Sequence, residues 1–281
     1  MLKQRIITAI VLLAFLLPAV FYPDTTAFTG LAVLLIAAGA WEWANLNQCK
    51  PLTAYGIAVL SAAGCLVAWY LGFPLQAYRS VWLVAGVVWV LGGVWLLRGG
   101  VGVWARVPQV VRVVVGVLAL WVAWLAVVQA RASGINFLVS TMVLVWIADV
   151  FAYFAGRALG GRFFKAKLAP TISPGKTWEG ALGGLLGVLV AAGVWRAVDA
   201  SLGATDLSVF SRLGQSGLLF MFLSVAFLSA MSVVGDLVES LFKRNAGFKD
   251  SSGLLPGHGG VLDRLDALLP VLPLAMMLTS I

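Results

Sequence analysis

The sequence predicts an all-α, polytopic integral membrane protein with about nine transmembrane helices. Hydrophobic residues make up 62% of its 281 residues, whereas soluble proteins contain about 45–50%. Apolar runs long enough to cross a bilayer also recur along the chain. A transmembrane barrel would instead show shorter segments of alternating hydrophobicity. The composition therefore excludes an ordinary soluble domain.

Nine apolar runs mark the predicted spans. They cover residues 6–22, 27–44, 54–73, 80–97, 108–130, 135–156, 179–198, 216–240 and 266–281. The first run follows Lys3 and Arg5, as the apolar part of a cleaved signal peptide would. No small-x-small cleavage pattern follows it, so we expect a retained helix. The last run is short for a hydrocarbon core about 30 Å thick, which leaves open a start within the preceding polar segment.

The basic residues are divided unevenly between the two sides that nine spans define. With a cytoplasmic N-terminus, 15 of the 19 Lys and Arg lie inside, as the positive-inside rule requires. The four outside are Arg79, Arg131, Arg196 and Arg212. Both long polar loops, 157–178 and 241–265, are then predicted to face the cytoplasm. The net charge of +8 is explained by these loops and implies no nucleic-acid partner.

The acidic residues divide the chain into two predicted domains. Residues 1–134 contain only Asp24 and Glu42 as acids and are predicted to form a hydrophobic scaffold of about five transmembrane helices. Residues 135–281 contain the other nine acids and are predicted to be the catalytic half. A pseudo-symmetric carrier would be expected to show matching features in both halves.

The segment 240–266 is the most polar part of the chain. It gathers seven charged side chains, and His258, the only histidine, adds a titratable group. The charged residues are Lys243, Arg244, Lys249, Asp250, Asp263, Arg264 and Asp266. Ionisable residues at a membrane edge are functional candidates. A helix-end cluster of salt bridges is the alternative.

Spacing places several of these groups on common helix faces. Asp236, Glu239 or Ser240, and Lys243 follow one another at i, i+3 or i+4, and i+7. Asp263 and Asp266 repeat the i, i+3 spacing as the next helix begins. A polar face on an apolar helix must look into a protein cavity, because lipid would penalise it.

A glycine-rich turn, residues 253–260, separates these two groups of carboxylates. Its glycines and proline break any helix and leave backbone N–H groups for an anion, with Gly259 and Gly260 as candidates. A merely flexible turn would look similar, but the neighbouring lysines favour a phosphate site. His258 is either a general base or a group that hydrogen-bonds the loop or a phosphate, and we favour the second role.

A second polar region begins inside the sixth predicted span. Asp149, Tyr153 and Arg157 are spaced i, i+4, i+8 and so share one helix face. Further on, Ser173 and the proline after it are predicted to cap and open the seventh helix. Lys176 would then lie in the first helical turn, where the helix dipole favours an anion.

The residue types favour phosphate chemistry assisted by a hard cation. Carboxylates with one histidine and no paired cysteines favour Mg²⁺ over zinc. Mg²⁺ and basic residues together are what phosphoryl or nucleotidyl transfer requires, because both neutralise phosphate oxygens. The sequence contains no Walker A or kinase glycine-rich motif, so any nucleotide would be held in another way.

Residues 240–266 contain the motif Ser240-x2-Lys243-Arg244-x4-Lys249-Asp250-x-Ser252-x2-Leu255-Pro256-Gly257-His258-Gly259-Gly260-x-Leu262-Asp263-Arg264-Leu265-Asp266. This motif resembles the signature of the phosphatidate cytidylyltransferases, or CDP-diacylglycerol synthases. The segments WIADVFAYFAGRALGG (146–161) and ISPGKTWEG (172–180) are also similar to that family. The part of the chain before these segments matches only in general hydropathy. One position departs from the pattern: Gly175 stands where the family has the first of two lysines, which leaves Lys176.

The resemblance implies transfer of CMP from CTP to phosphatidic acid, with release of pyrophosphate. The implied cofactor is Mg²⁺, and a second cation such as K⁺ is compatible with it. It implies metal-binding and catalytic roles for Asp236 and Asp263, with Asp149 in support, and a catalytic role for Lys249. The implied substrate-binding residues are Ser173, Lys176, Ser240, Lys243, Arg244, His258, Gly259, Gly260 and Arg264. Glu239, Asp250 and Asp266 are implied to orient these groups.

We expect a multi-pass protein of the bacterial inner membrane, with its site facing the cytoplasm. A homodimer is one oligomeric state open to it. Two other functions share these features. A CTP-dependent lipid or polyprenol kinase would also need Mg²⁺ and a basic cytoplasmic loop. An ion-coupled transporter would use Asp149 and Asp236 as its coupling site.

Overall fold

The computed structural model describes residues 2–76 and 78–280, and it confirms the all-α class. Met1, Ala77 and Ile281, which belong to the predicted domains and the last span, lie outside the described residues. Within the described part, eight helices are long and apolar enough to cross a membrane. They are α1 (Leu2–Phe21), α2 (Thr26–Leu46), α3 (Pro51–Tyr70), α4 (Arg79–Gly99), α6 (Gln109–Ser133), α7 (Ile135–Leu159), α8 (Trp178–Ser201) and α10 (Leu218–Ala246).

Shorter helices complete the architecture. They are a 3-10 turn (Phe73–Leu75), α5 (Val101–Ala105), α9 (Val209–Gln215), α11 (Leu262–Leu265) and α12 (Leu268–Thr279). No β-strand forms among the described residues. Two isolated antiparallel bridges, Ala169 with Ser173 and Leu255 with Gly259, close a turn in each of the two polar loops.

The ninth predicted span contains the short helix α12. α12 contains 12 residues, or about 18 Å at 1.5 Å per residue, well short of a hydrocarbon core. It packs against α4, α6 and α10, and Val271, Leu274 and Ala275 are fully buried in it. α11 lies directly before α12, and the two residues between them keep helical dihedral angles, so the exact number of spans stays a prediction. The cytoplasmic N-terminus stays a prediction.

The predicted start of the seventh helix is also corrected. α8 begins at Trp178, and Thr177 is its N-cap, accepting a hydrogen bond from the N–H of Gly180 at 3.1 Å. Ser173 instead belongs to a tight turn, in which its carbonyl accepts from the N–H of Lys176 at 3.1 Å. Lys176 therefore precedes the helix and does not lie in its first turn.

Small residues bring α7 and α8 into close contact. A Cβ added to Gly184 would lie 2.6 Å from the carbonyl oxygen of Ala148, and one added to Gly187 would lie 2.5 Å from the ring of Phe151. Glycines permit such approaches between membrane helices. The close packing places the polar face of α7 beside the loop that precedes α8.

Two further contacts bring distant helices to α10. A Cβ on Gly235 would lie 2.5 Å from the carbonyl oxygen of Asp266, so the start of the C-terminal segment rests directly on α10. From the N-terminal half, the ring of Trp43 in α2 packs edge-on against Phe242, with 4.9 Å between centroids. These contacts assemble α2, α10 and α11 around one polar region.

Candidate active site

A cavity of about 450 Å³ lies between α7, α8 and α10. Asp149, Tyr153 and Arg157 line it from α7, Lys176 lines it from the loop before α8, and Asp236 lines it from α10. The polar stripe predicted on α7 is therefore a wall of this cavity. The charged and polar lining lets this cavity accommodate a polar group in an otherwise hydrophobic protein.

The ion pair between Lys176 and Asp236 crosses this cavity. The Nζ of Lys176 donates to Asp236 Oδ2, and the hydroxyl of Ser240 donates to Asp236 Oδ1 at 3.3 Å. Gly175 also lines the cavity, and a Cβ there would meet no atom within 4 Å. The position at which the chain departs from the family pattern therefore has space for a side chain.

A second ion-pair group lies further along the same face of α10. Lys243 pairs with Asp263 Oδ1 and lies within ion-pair distance of Glu239 Oε2. No hydrogen bond of good geometry reaches either Glu239 oxygen among the described residues, so the contact with Lys243 is described as an ion pair. Glu239 is 5% exposed, so its carboxyl group lies beside Lys243 and is removed from solvent.

Asp263 is surrounded by hydrogen-bond donors. Its Oδ2 accepts from the N–H of Gly260 at 2.7 Å and from both the N–H and the hydroxyl of Ser251 at 2.9 Å. Burial alone would raise the pKa of this carboxyl, but the bonds from Lys243, Gly260 and Ser251 outweigh burial and lower the pKa below its usual value. Asp263 is thus held as an anion at neutral pH.

The glycine-rich turn folds onto Asp263. Gly259 has φ +83°, and a Cβ there would lie 2.6 Å from Asp263 Oδ2, so glycine is required at this point. The N–H groups of His258 and Gly260 bond to Leu255 and Asp263, respectively. The N–H of Gly260 is therefore engaged by Asp263 and is not free for an anion, contrary to expectation. The Nδ1 of His258 is buried without a hydrogen-bond partner in the described part of the chain.

The predicted basic residues at the edge of this region are exposed. Arg244, Lys249 and Arg264 are solvent-accessible, and Arg244 reaches across to the carbonyl oxygen of Ile172 at 3.4 Å. Asp250 is exposed beside them. The three ion pairs found among the described residues include none of these four. Such exposed cations are available to a charged ligand.

Glu42 is a site residue that sequence reasoning missed. It is fully buried in α2 and accepts hydrogen bonds from the N–H groups of Val261 at 2.9 Å and Leu262 at 2.7 Å. The hydroxyls of Ser251 and Ser252 also bond to it. The available signal is a carboxylate in the middle of an apolar span, which is a functional candidate by itself.

α1 also contacts the glycine-rich turn. The Nε of Arg5 donates to the carbonyl oxygen of Gly257 at 3.0 Å, and the hydroxyl of Thr8 donates to that of Pro256 at 2.8 Å. A Cβ on Gly257 would lie 2.9 Å from Arg5 Cγ. Both the first and second helices of the predicted scaffold therefore hold the turn.

The carboxylates do not form a complete metal site by themselves. In residues 2–76 and 78–280, no three His, Cys, Asp or Glu side chains converge at ligand distance. Asp236 and Asp263 instead each engage a lysine. Asp266 lies close enough to Asp236 and Asp149 to interact with them electrostatically. The donor atoms are nevertheless carboxylate oxygens, which suit Mg²⁺ better than a soft metal.

Comparison with known proteins agrees with the motif. The sequence model of the cytidylyltransferase family matches residues 3–281. A phosphatidate cytidylyltransferase of Pseudomonas aeruginosa is 41% identical over 97% of this chain and 95% of its own length. One from Haemophilus influenzae is 36% identical over 97% and 96%, and one from Staphylococcus haemolyticus is 31% identical over 98% of each. The resemblance is thus confirmed and extends through the N-terminal half: the chain belongs to the cytidylyltransferase family.

Proposed function

We propose that this protein transfers CMP from CTP to phosphatidic acid, which gives CDP-diacylglycerol and pyrophosphate. One structural observation carries the proposal. Two lysine–aspartate pairs, Lys176 with Asp236 and Lys243 with Asp263, lie along one face of α10 where two polar loops meet a bundle of apolar helices. This arrangement offers charge to phosphates at the boundary where a lipid headgroup and a soluble nucleotide meet. Curated relatives that match nearly the full chain bear the name of this activity.

The chemistry requires the protein to bring two anions together. The phosphate of phosphatidic acid is already ionised near neutral pH, so its oxygen can attack the α-phosphorus of CTP without a strong general base. This is why His258 is assigned to the loop or to a phosphate contact. The main barrier is repulsion between phosphates, and cationic side chains held in a site of low dielectric reduce it.

The lysines supply part of that charge. Lys176 and Lys243 each carry three donors, so each can bond a phosphate oxygen while it remains beside its carboxylate. The exposed cations Arg244, Lys249 and Arg264 are positioned to receive the triphosphate or the lipid phosphate from the side of the loops. Ser240, which already bonds Asp236, keeps that carboxylate oriented.

Asp236 and Asp263, with Asp149 in support, would hold Mg²⁺. The bound cation would neutralise phosphate charge that lysines alone leave uncompensated. Asp263 is suited to this role because its surrounding donors keep it ionised. A second cation such as K⁺ is part of the proposal. Two carboxyl groups beyond those assigned to Mg²⁺, Glu239 and Asp266, support it.

The proposed setting is the inner membrane of a bacterium, with both polar loops in the cytoplasm, where CTP is found. The distribution of Lys and Arg supports this orientation. We also propose that residues 1–134 are mainly a scaffold and that residues 135–281 contain the catalytic residues. Association into a homodimer remains a prediction, which the mass of the detergent-solubilised protein would test.

The direct test is product analysis with protein purified in detergent. We expect pyrophosphate release that requires CTP, phosphatidic acid and Mg²⁺ together. A lipid kinase would release CDP instead, and a transporter would bind without turnover. Release of CDP, or no turnover by folded protein, would contradict the proposal.

A further inference from the structure

We propose that Glu42 is a positioning residue for this reaction, and that its buried carboxylate fixes the backbone that presents Asp263. The inference rests on the proposed function in so far as Asp263 belongs to the reaction site. Glu42 lies in α2, far from Asp263 in sequence, in a half of the chain that otherwise contains a single acid. Its role can therefore be separated from that of the motif residues.

The hydrogen bonds of Glu42 are directed at the peptide groups immediately before Asp263. Oε1 accepts from the N–H of Val261 at 2.9 Å, and Oε2 accepts from the N–H of Leu262 at 2.7 Å. These N–H groups open α11, in which Asp263 is the second residue. With both carboxylate oxygens engaged, neither the position nor the tilt of this backbone can change without breaking a bond.

Ser251 connects the two carboxylates. Its hydroxyl lies 2.9 Å from Asp263 Oδ2 and 3.3 Å from Glu42 Oε2. A hydroxyl has one proton to donate, so these two bonds compete. When Asp263 turns to another partner, the hydroxyl of Ser251 can bond to Glu42 without being left unpaired. Glu42 thereby permits Asp263 to change partners at low cost.

This arrangement leaves no space for a side chain at Gly260. A Cβ at Gly260 would lie 2.3 Å from Glu42 Oε1 and 2.0 Å from the hydroxyl oxygen of Ser251. Its backbone is outside the left-handed region that favours glycine, so the requirement is for space. The turn is built around the carboxylate of Glu42, which is an independent sign that the carboxylate belongs there.

The helix that carries Glu42 is firmly held. The neighbouring Trp43 packs against Phe242 and Trp104, with ring centroids 4.9 and 5.9 Å away. Its indole N–H bonds to the carbonyl oxygen of Arg112 at 3.1 Å. The ion pairs found in the described part of the chain do not include Glu42, so its charge is balanced by hydrogen bonds to the turn. A rigid anchor of this kind can set the geometry of Asp263.

The test compares Glu42→Gln with Ser251→Ala and a control, Asp24→Asn. The glutamine has the same shape but directs an NH₂ group at a donor that needs an acceptor, whereas Ser251→Ala removes only the shared hydroxyl. Asp24 is the other acid of the N-terminal half; it is exposed, and among the described residues its hydrogen bonds come from Thr26 alone. Each protein is assayed for kcat, for the Mg²⁺ concentration giving half-maximal rate, and for amide exchange in the metal-free state.

We expect Glu42→Gln to lower kcat by roughly 10- to 100-fold, as loss of a supporting partner does at metal sites, and to raise the Mg²⁺ requirement. Amide exchange of Val261 and Leu262 should accelerate while that of α7 and α8 does not. Ser251→Ala should shift the Mg²⁺ requirement in the same direction, and Asp24→Asn should match wild type.

Wild-type kcat and Mg²⁺ requirement in folded Glu42→Gln would overturn the proposal, as would unchanged exchange at Val261 and Leu262. If Glu42→Gln does not fold, Glu42→Asp decides, because it keeps the carboxylate but is too short to hold both N–H groups; wild-type amide exchange at Val261 and Leu262 in that variant overturns the proposal. Absence of CDP-diacylglycerol synthesis by wild type would contradict the proposed function alone, because amide exchange tests the anchor without turnover.

Discussion

Lys176 and Asp236 form an ion pair that joins the loop before α8 to the middle of α10. Both side chains are about one-quarter exposed, because they face a cavity and not the lipid. The pair connects two polar regions that lie far apart in the sequence. A charged ligand in the cavity would therefore contact both regions at once.

Replacing Lys176 with methionine should weaken CTP use. The change keeps the length of the side chain but removes the cation, so Asp236 is left without its partner and adds to the negative charge of the cavity. We expect kcat/KM for CTP to fall at least about tenfold, which corresponds to roughly 1.4 kcal/mol. Lys167→Met is the matched control, because Lys167 lies in the same loop and its Nζ, in the part of the chain that the structure describes, bonds to the carbonyl oxygen of Pro174 and to no carboxylate. Equal losses in both variants would argue against a specific role for Lys176.

Asp263→Asn should abolish activity with little loss of folded protein. The amide keeps the shape of the side chain but cannot accept both the N–H of Gly260 and a cation, and it leaves Lys243 with Glu239 alone. His258→Ala, in the same turn, should retain measurable turnover, because the lipid phosphate needs no strong base. Initial rates on detergent-purified protein check both. Near-normal turnover of Asp263→Asn would refute its assignment to the site.

Gly175→Lys should be tolerated and should improve CTP binding. The position faces the cavity and has open space for a side chain, so a second cation beside Lys176 would add attraction for the triphosphate. We expect a KM for CTP lowered a few-fold, with Gly175→Ala unchanged. An inactive but folded Gly175→Lys protein would show that the cavity does not receive CTP phosphates.

Removal of divalent cations should stop the reaction reversibly. Oxygen ligands favour Mg²⁺, so activity lost in EDTA should return with Mg²⁺ and not with K⁺ alone. Pyrophosphate release during a Mg²⁺ titration measures this. Full activity in EDTA would mean that the lysines suffice to neutralise the phosphates.

Gly184→Leu should reduce the yield of folded protein. The new side chain would collide with the backbone of Ala148, which no rotamer change can relieve. Gly193→Leu is the control in the same helix, because a Cβ there meets nothing within 4 Å. Size-exclusion profiles in detergent compare the two, and similar monodisperse yields would contradict the close packing of α7 against α8.

Much of the site could be predicted because its residues are close in sequence or share a helix face. The stripe of Asp149, Tyr153 and Arg157 follows from helical spacing alone. For Lys176 and Asp236, the sequence predicts only that both lie on the same side of the membrane. A count of charges indicates which side a loop faces, but not which lysine contacts which carboxylate. The start of α8 is ambiguous in sequence because Ser173 and Thr177 are both acceptable caps locally, and the bridge between Ala169 and Ser173 decides between them.

The remaining features depend on contacts between distant segments. Hydropathy describes residues 266–281 as a span because it measures apolar character, which burial inside the bundle explains as well as burial in lipid does. The sequence groups Glu42 with a scaffold because nothing near it suggests a partner. Its partners lie close to the other end of the chain, and only the packing of α2 against α10 and α11 brings them together.

The central claim is transfer of CMP to the lipid, and the fate of isotopic label tests it most directly. Purified protein is supplied with phosphatidic acid, Mg²⁺ and CTP labelled at either the α- or the γ-phosphorus. The account predicts that only the α label enters the lipid fraction, and that the γ label leaves as pyrophosphate. Entry of the γ label into lipid would contradict the account and would identify a kinase.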